Sequence, residues 1–184
     1  MNAEVFDDAI VCGDAQVYGD AKVFGNSRIS RNSVLYGNAK VFDDAWVYGS
    51  VLVFGNARVF GNAKVSGSAE VQGFAWVFDD ARVSGNAKVS GNARVYGDAK
   101  VFDNVMVFDN AWVCGYAKIS ENARVFGDAL VLENAKVCGN AKVGGDAKVG
   151  GDVTVDENAQ IGENARVFGN AIVDGNAQVC GELS

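Results

Sequence analysis

The 184 residues include no histidine. Imidazole is the commonest proton carrier of enzymes at neutral pH, so no Ser-His or Cys-His arrangement can be assembled from this chain. Three other sets of residues could carry chemistry. Acid pairs stand at Asp7-Asp8, Asp43-Asp44 and Asp79-Asp80, at intervals of 36. Oxygen-rich clusters of this kind suit calcium, and the same residue types also serve as solvated turn formers. Four cysteines, Cys12, Cys114, Cys138 and Cys180, offer thiols. Aromatics form the third set: Phe6, Phe24, Phe42, Phe60, Phe78 and Tyr96 recur every 18 residues, with Trp76 and Trp112 in a neighbouring column of the same period. Such a strip could hold a sugar, an apolar polymer or another protein surface.

These residues are positioned by a repeat of six. Val53-Phe54-Gly55-Asn56-Ala57-Arg58 is followed at once by Val59-Phe60-Gly61-Asn62-Ala63-Lys64, and the register runs unbroken through thirty hexads from Val5 to Ser184. The first position is Val in 26 hexads, with Ile29, Leu35, Ile119 and Ile161 elsewhere; the fifth is Ala in 24. The fifth position lies two residues before the next first position, so both point to one side of an extended strand. That side is the interior. The third position is Gly in 20 hexads and the fourth is Asn or Asp in 25; these types tolerate tight or left-handed backbone. The helical spacing of three and four is absent. A unit whose inner face is Ala and Val can bury it only by stacking on copies of itself. Three hexads close a triangular coil of 18 residues. The expectation is an all-β, single-domain parallel β-solenoid over residues 1–184, with about ten coils and no insertions.

Residues such as Ile161-Gly162-Glu163-Asn164-Ala165-Arg166 resemble the hexapeptide repeat of left-handed parallel β-helix proteins. The runs from Val83 to Lys88 and from Val89 to Arg94 are more specifically similar to the YdcK-type β-solenoid repeat. The resemblance alone implies the left-handed coil; periodicity gives three sides, and parallel crossovers in general favour the right hand. Many proteins of the resembled family are acyltransferases, whose catalysis generally uses a His base, protruding loops and sites between trimer subunits. This chain has no His and no loop insertion, so it is expected not to be an enzyme and to need no cofactor or metal.

Outward positions sort into three faces. The first carries Phe6, Phe24, Phe42, Phe60, Trp76, Phe78, Tyr96 and Trp112, and is the candidate contact face. The second is polar, with Ser30, Ser66, Ser84 and Ser120 beside Arg28, Lys64, Arg82, Lys100, Lys118 and Lys136. The third is intermediate, with Tyr18, Tyr36, Phe54, Phe108 and Phe126. Phe74 and Tyr116 sit at corners that border the first face. The ends show no distinct cap sequence, which suggests end-to-end stacking of Ala3, Val5, Val11 and Val17 on Val167, Val173, Val179 and Leu183 of another copy. The chain is therefore expected to be a structural, self-assembling protein: a head-to-tail filament, a lateral homo-oligomer through the aromatic face, or both. A carbohydrate- or polymer-binding module is the alternative, and an acyltransferase-like protein without the His a third reading.

A net charge of -7 argues against a nucleic-acid partner. No apolar run approaches a membrane span, and the start Met-Asn-Ala-Glu-Val lacks the basic end and apolar block of a signal peptide. The cysteines fall on different faces or several coils apart, so none can pair within the rod. Free thiols suit a reducing compartment, and the cytoplasm is the expected location.

Overall fold

The computed structural model describes residues 2–183, and side chains of residues 2–181. Short strands form three parallel sheets of 11, 10 and 10 members, in which each strand pairs with those three before and three after it. Val59 lies between Val41 and Val77, Val65 between Val47 and Val83, and Val71 between Val53 and Val89. One coil is thus 18 residues, with one strand on each sheet, and about ten coils stack into a rod. At a strand spacing of about 4.8 Å the rod is roughly 48 Å long. No helix among the described residues is long and apolar enough to cross a membrane.

The inward columns are as the repeat dictates. From Ala21 to Val167, every residue at the first and fifth hexad positions is at most 1% exposed. Each buried Val contributes about 1.5–3 kcal/mol of transfer free energy before chain entropy is subtracted. Two serines replace Ala in this core. Their hydroxyls donate to carbonyls three residues back, Ser27 to Phe24 at 2.9 Å and Ser33 to Ser30 at 2.8 Å, so neither is an unmet polar group.

The corners show why the third position is so restricted. From Asp7 to Gly175 every residue there has φ between +53° and +107°. Ten of these residues are not glycine, and left-handed backbone costs an L residue about 1–2 kcal/mol. Six acids among them gain a compensating bond: each carboxylate accepts the backbone N–H of the matching residue one coil later. Asp7 takes it from Gly25, Asp43 from Gly61, Asp79 from Gly97, Asp103 from Glu121 and Asp109 from Gly127, all at 3.1–3.2 Å. Glu133 takes it from Gly151. The first acid of each of the three pairs is therefore a lock between coils.

The fourth position adds a second lock. Asn side chains donate Nδ2–H to the Oδ1 one coil on. The longest run is Asn86, Asn104, Asn122, Asn140 and Asn158, with four bonds of 3.0–3.2 Å. In the terminal coils burial fades. Ala3 and Val5 are exposed, Val5 by 48%, and Val11 and Val17 are half-buried. Val167 is fully buried, Val173 is 4% and Val179 8% exposed, and the side chain of Leu183 lies outside the described residues. The residues expected to stack end to end thus occupy the first and last coils.

Candidate functional surface

All eight residues of the expected contact face lie on the first sheet. Phe6, Phe24, Phe42, Phe60, Phe78 and Tyr96 form one unbroken column. Successive rings are parallel within 2–4° and 4.8–5.0 Å apart, close to the strand spacing. Parallel rings at this separation cover one another's faces, so the column turns ring edges outward. The neighbouring column alternates Arg58, Trp76, Arg94 and Trp112, which are register partners in consecutive coils. Arg58 and Arg94 sit over opposite sides of Trp76 at 5.1 and 4.9 Å, and Arg94 also reaches Trp112 at 4.8 Å. The edge of Trp76 meets Phe60 and Phe78. On the second sheet Trp46 is flanked in the same way by Arg28 and Lys64. The aromatic faces that a sugar would stack on are thus largely occupied from within.

The corner residues that border the first sheet behave differently. Phe74 is 61% and Tyr116 63% exposed, and neither ring stacks on another. Further along, Phe126 leans over Gly144, where a Cβ would come within 2.4 Å of the ring, and Phe168 leans over Gly150. The Gly-Gly stretches around residues 144 and 150 therefore give room to rings from adjacent coils. Sequence reasoning placed these glycines in the hexad but missed that use; the signal is that each stands in an aromatic column.

All four cysteines are free. Burial pushes the Cys114 thiol up, and burial together with a hydrogen bond to Asp156 and its charge pushes Cys138 up to about 11. Tyr96, partly desolvated and hydrogen-bonded to Cys114, is pushed up to about 12. A raised thiol holds its proton, and the thiolate is the nucleophile. Cys138 is expected to react with iodoacetamide at pH 8 about 100-fold more slowly in the folded rod than in urea-unfolded chain. Cys12 and Cys180, both exposed, should be labelled first. Equal rates in folded and unfolded protein at Cys138 would count against this. The folded state keeps these protons longer than the unfolded chain. Stability is therefore full below pH 9 and falls as pH rises from 9 toward 11.

Residues 15–31, 87–101, 159–175 and 165–181 match the family model described as YdcK Beta solenoid repeat. The chain carries YdcK-type β-solenoid repeats, and the stretches between the matches keep the same 18-residue register. No curated protein matches the sequence. Among solved structures, the UDP-N-acetylglucosamine acyltransferase from Campylobacter jejuni is 15% identical with a TM-score of 0.47, over 89% of this chain and 66% of that one. A Bacillus cereus protein named as an acetyltransferase is 16% identical with a TM-score of 0.31, over 90% and 85% of the two chains. One from Desulfovibrio desulfuricans G20, also named as an acetyltransferase, is 12% identical with a TM-score of 0.21, over 80% and 62%. The chain spans just under two thirds of the first and the third.

The likeness is one of fold, and it corrects the expectation that the protein is not an enzyme. All three solved neighbours bear acyltransferase or acetyltransferase names. The expectation leaned on the missing histidine. That absence removes one proton carrier and leaves carboxylates and thiols in place.

Proposed function

We propose that this chain of YdcK-type β-solenoid repeats is a self-associating rod, two copies of which pair laterally through their first sheets. The supporting observation is the unbroken ring column of that sheet, with exposed apolar residues beside it. Phe6 is 41%, Trp112 39% and the bordering Phe74 61% exposed, along a flat face that also carries the ring-edge column. A face of about 48 by 17 Å offers roughly 800 Å², the area each partner gives to an interface of standard size. Like charges decide the geometry. A two-fold axis across the rods would set the column of Lys22, Lys40, Arg58 and Arg94 against itself. An axis parallel to the rods lays that column over the partner's ring edges, where the alkyl stems of Lys and Arg cover apolar surface. The rods therefore run parallel.

Analytical ultracentrifugation tests this. The wild-type chain is expected to sediment as a dimer in equilibrium with monomer. Phe74→Glu should weaken the dimer at least tenfold without lowering the unfolding midpoint at dilutions where neither protein pairs, because Phe74 makes no ring contact inside the rod. A monomer at every concentration, or a Phe74→Glu protein that pairs as well as wild type, would overturn the reading.

A further inference from the structure

The second sheet carries a feature that pairing through the first does not use. Lys64, Arg82, Lys100, Lys118 and Lys136 are register partners in five consecutive coils. They form an unbroken column of cations, each about 4.8 Å from the next. All five are exposed. Stacked like charges repel, and acids could have relieved this column. No acid makes ion-pair contact with it: the two side-chain ion pairs among the described residues, Lys22–Glu4 and Lys88–Glu70, lie on the other two sheets.

The column is one side of a groove. Two depressions of about 470 and 380 Å³ share Asp80 and Arg82, and together they run from Trp46 to Lys136. That is six coils, or about 24 Å. The opposite wall is the corner between the first and second sheets. It presents Asp44, Asp80 and Asp98, the amides of Asn62 and Asn134, and the ring of Tyr116. Tyr116 is 63% exposed and joins none of the ring stacks or cation contacts that occupy the column aromatics. Its faces are free.

We infer that this groove binds a linear glycan bearing carboxylates, laid along the rod axis. An extended glycan advances by about one strand spacing per ring, so its units fall in step with the coils. Its carboxylates meet the cation column. Its hydroxyls donate to Asp80 and Asp98 and exchange hydrogen bonds with Asn134. The apolar face of one ring stacks on Tyr116. The three wall carboxylates separate this ligand from a DNA strand: a uronate ring brings hydroxyl donors beside its carboxylate, which Asp44, Asp80 and Asp98 accept, whereas a phosphodiester backbone offers these acids no donor. The inference does not rest on pairing through the first sheet, since the groove is free in either state.

Isothermal titration calorimetry of the full chain with a galacturonate hexamer tests it. A glucose hexamer and an oligothymidylate of similar length serve as comparators. The galacturonate hexamer is expected to bind, and to weaken as salt rises from about 50 to 200 mM. Lys100→Gln combined with Lys118→Gln should weaken it at least tenfold, and Tyr116→Ala about tenfold. Lys142→Gln, on the third sheet, should leave it unchanged. Circular dichroism confirms that each variant keeps the rod. The inference is overturned by no galacturonate binding or by equal binding of the glucose hexamer. Tighter binding of the oligothymidylate would assign the groove to nucleic acid instead. Full affinity in a folded double variant would place the ligand elsewhere. Phe74→Glu separates this from the pairing of rods, for it should weaken dimers at least tenfold and leave galacturonate binding intact.

Discussion

Gly85→Ala is expected to destabilise the rod by about 2–5 kcal/mol, although it adds a single methyl group at a solvent-facing corner. Two costs combine. Gly85 has φ of +71°, and an L residue there costs about 1–2 kcal/mol. A Cβ would also lie 2.6 Å from the amide nitrogen of Asp103 and 2.9 Å from its Cα and carbonyl oxygen, all in the next coil. That obstacle is backbone, so relief requires the coils to move apart and loosen the sheet bonds between them; strain of this kind costs about 1–3 kcal/mol. Gly162→Ala is the control. Nothing lies within 4 Å of its Cβ position and its φ is not left-handed, so the change should be neutral or slightly stabilising. Urea titrations followed by circular dichroism compare the two. Equal midpoints would show that corner space between coils does not limit stability. The same crowding accounts for the spacing of acids along one corner, where Asp7, Gly25, Asp43, Gly61, Asp79 and Gly97 alternate. A side chain at left-handed φ is followed by a glycine whose N–H it binds.

Much of this fold is legible in single columns of the repeat. Val and Ala at two fixed positions define the interior because their period of two within each hexad matches a strand. Gly, Asn and Asp at the next positions reveal left-handed corners, because few other residues adopt them cheaply. What the columns conceal lies between hexads. Asn86 and Asn104 read as turn formers one at a time; only stacking at 18 residues turns them into a hydrogen-bonded ladder. Asp43 and Asp79 read as solvated or calcium-binding for the same reason, and their partners are backbone amides one coil away. Arg31 holds φ of +61° without such a bond, and nothing in the structure explains an arginine there. The candidate surface was legible as residues but not as orientation. Phe42 and Phe60 fall on one face by arithmetic, yet whether rings present faces or edges depends on packing along the rod. Because they stack on each other, the face fits protein contact better than sugar stacking. The most exposed rings belong to Tyr116 and Phe74, the two aromatics that the column pattern leaves at corners.

Phe60→Ala is expected to cost about 2–4 kcal/mol and to divide unfolding into two stages. Phe60 has three ring contacts, a number matched in its column by Phe78 alone. It stacks on Phe42 and Phe78 at 4.8 and 4.9 Å and meets the edge of Trp76 at 6.1 Å. Each such pair is worth about 0.5–1.5 kcal/mol beyond burial. Half-buried apolar area adds to this, although less than for a fully buried Phe. The position matters as much as the sum. In a stack where each coil touches only its neighbours, stability is a series of interface terms, and one weak interface lets the segments unfold separately. Phe60 belongs to the fourth coil, so its loss weakens the interfaces on both sides at once. Phe6→Ala, at the start of the column with one stacked neighbour, should cost no more than half as much and leave a single transition. Hydrogen exchange at low protein concentration, where copies do not pair, distinguishes the outcomes. In Phe60→Ala, amides of the first three coils should lose protection before those beyond Val77. Uniform loss along the whole rod would mean that the ring column does not set the strength of individual coil interfaces.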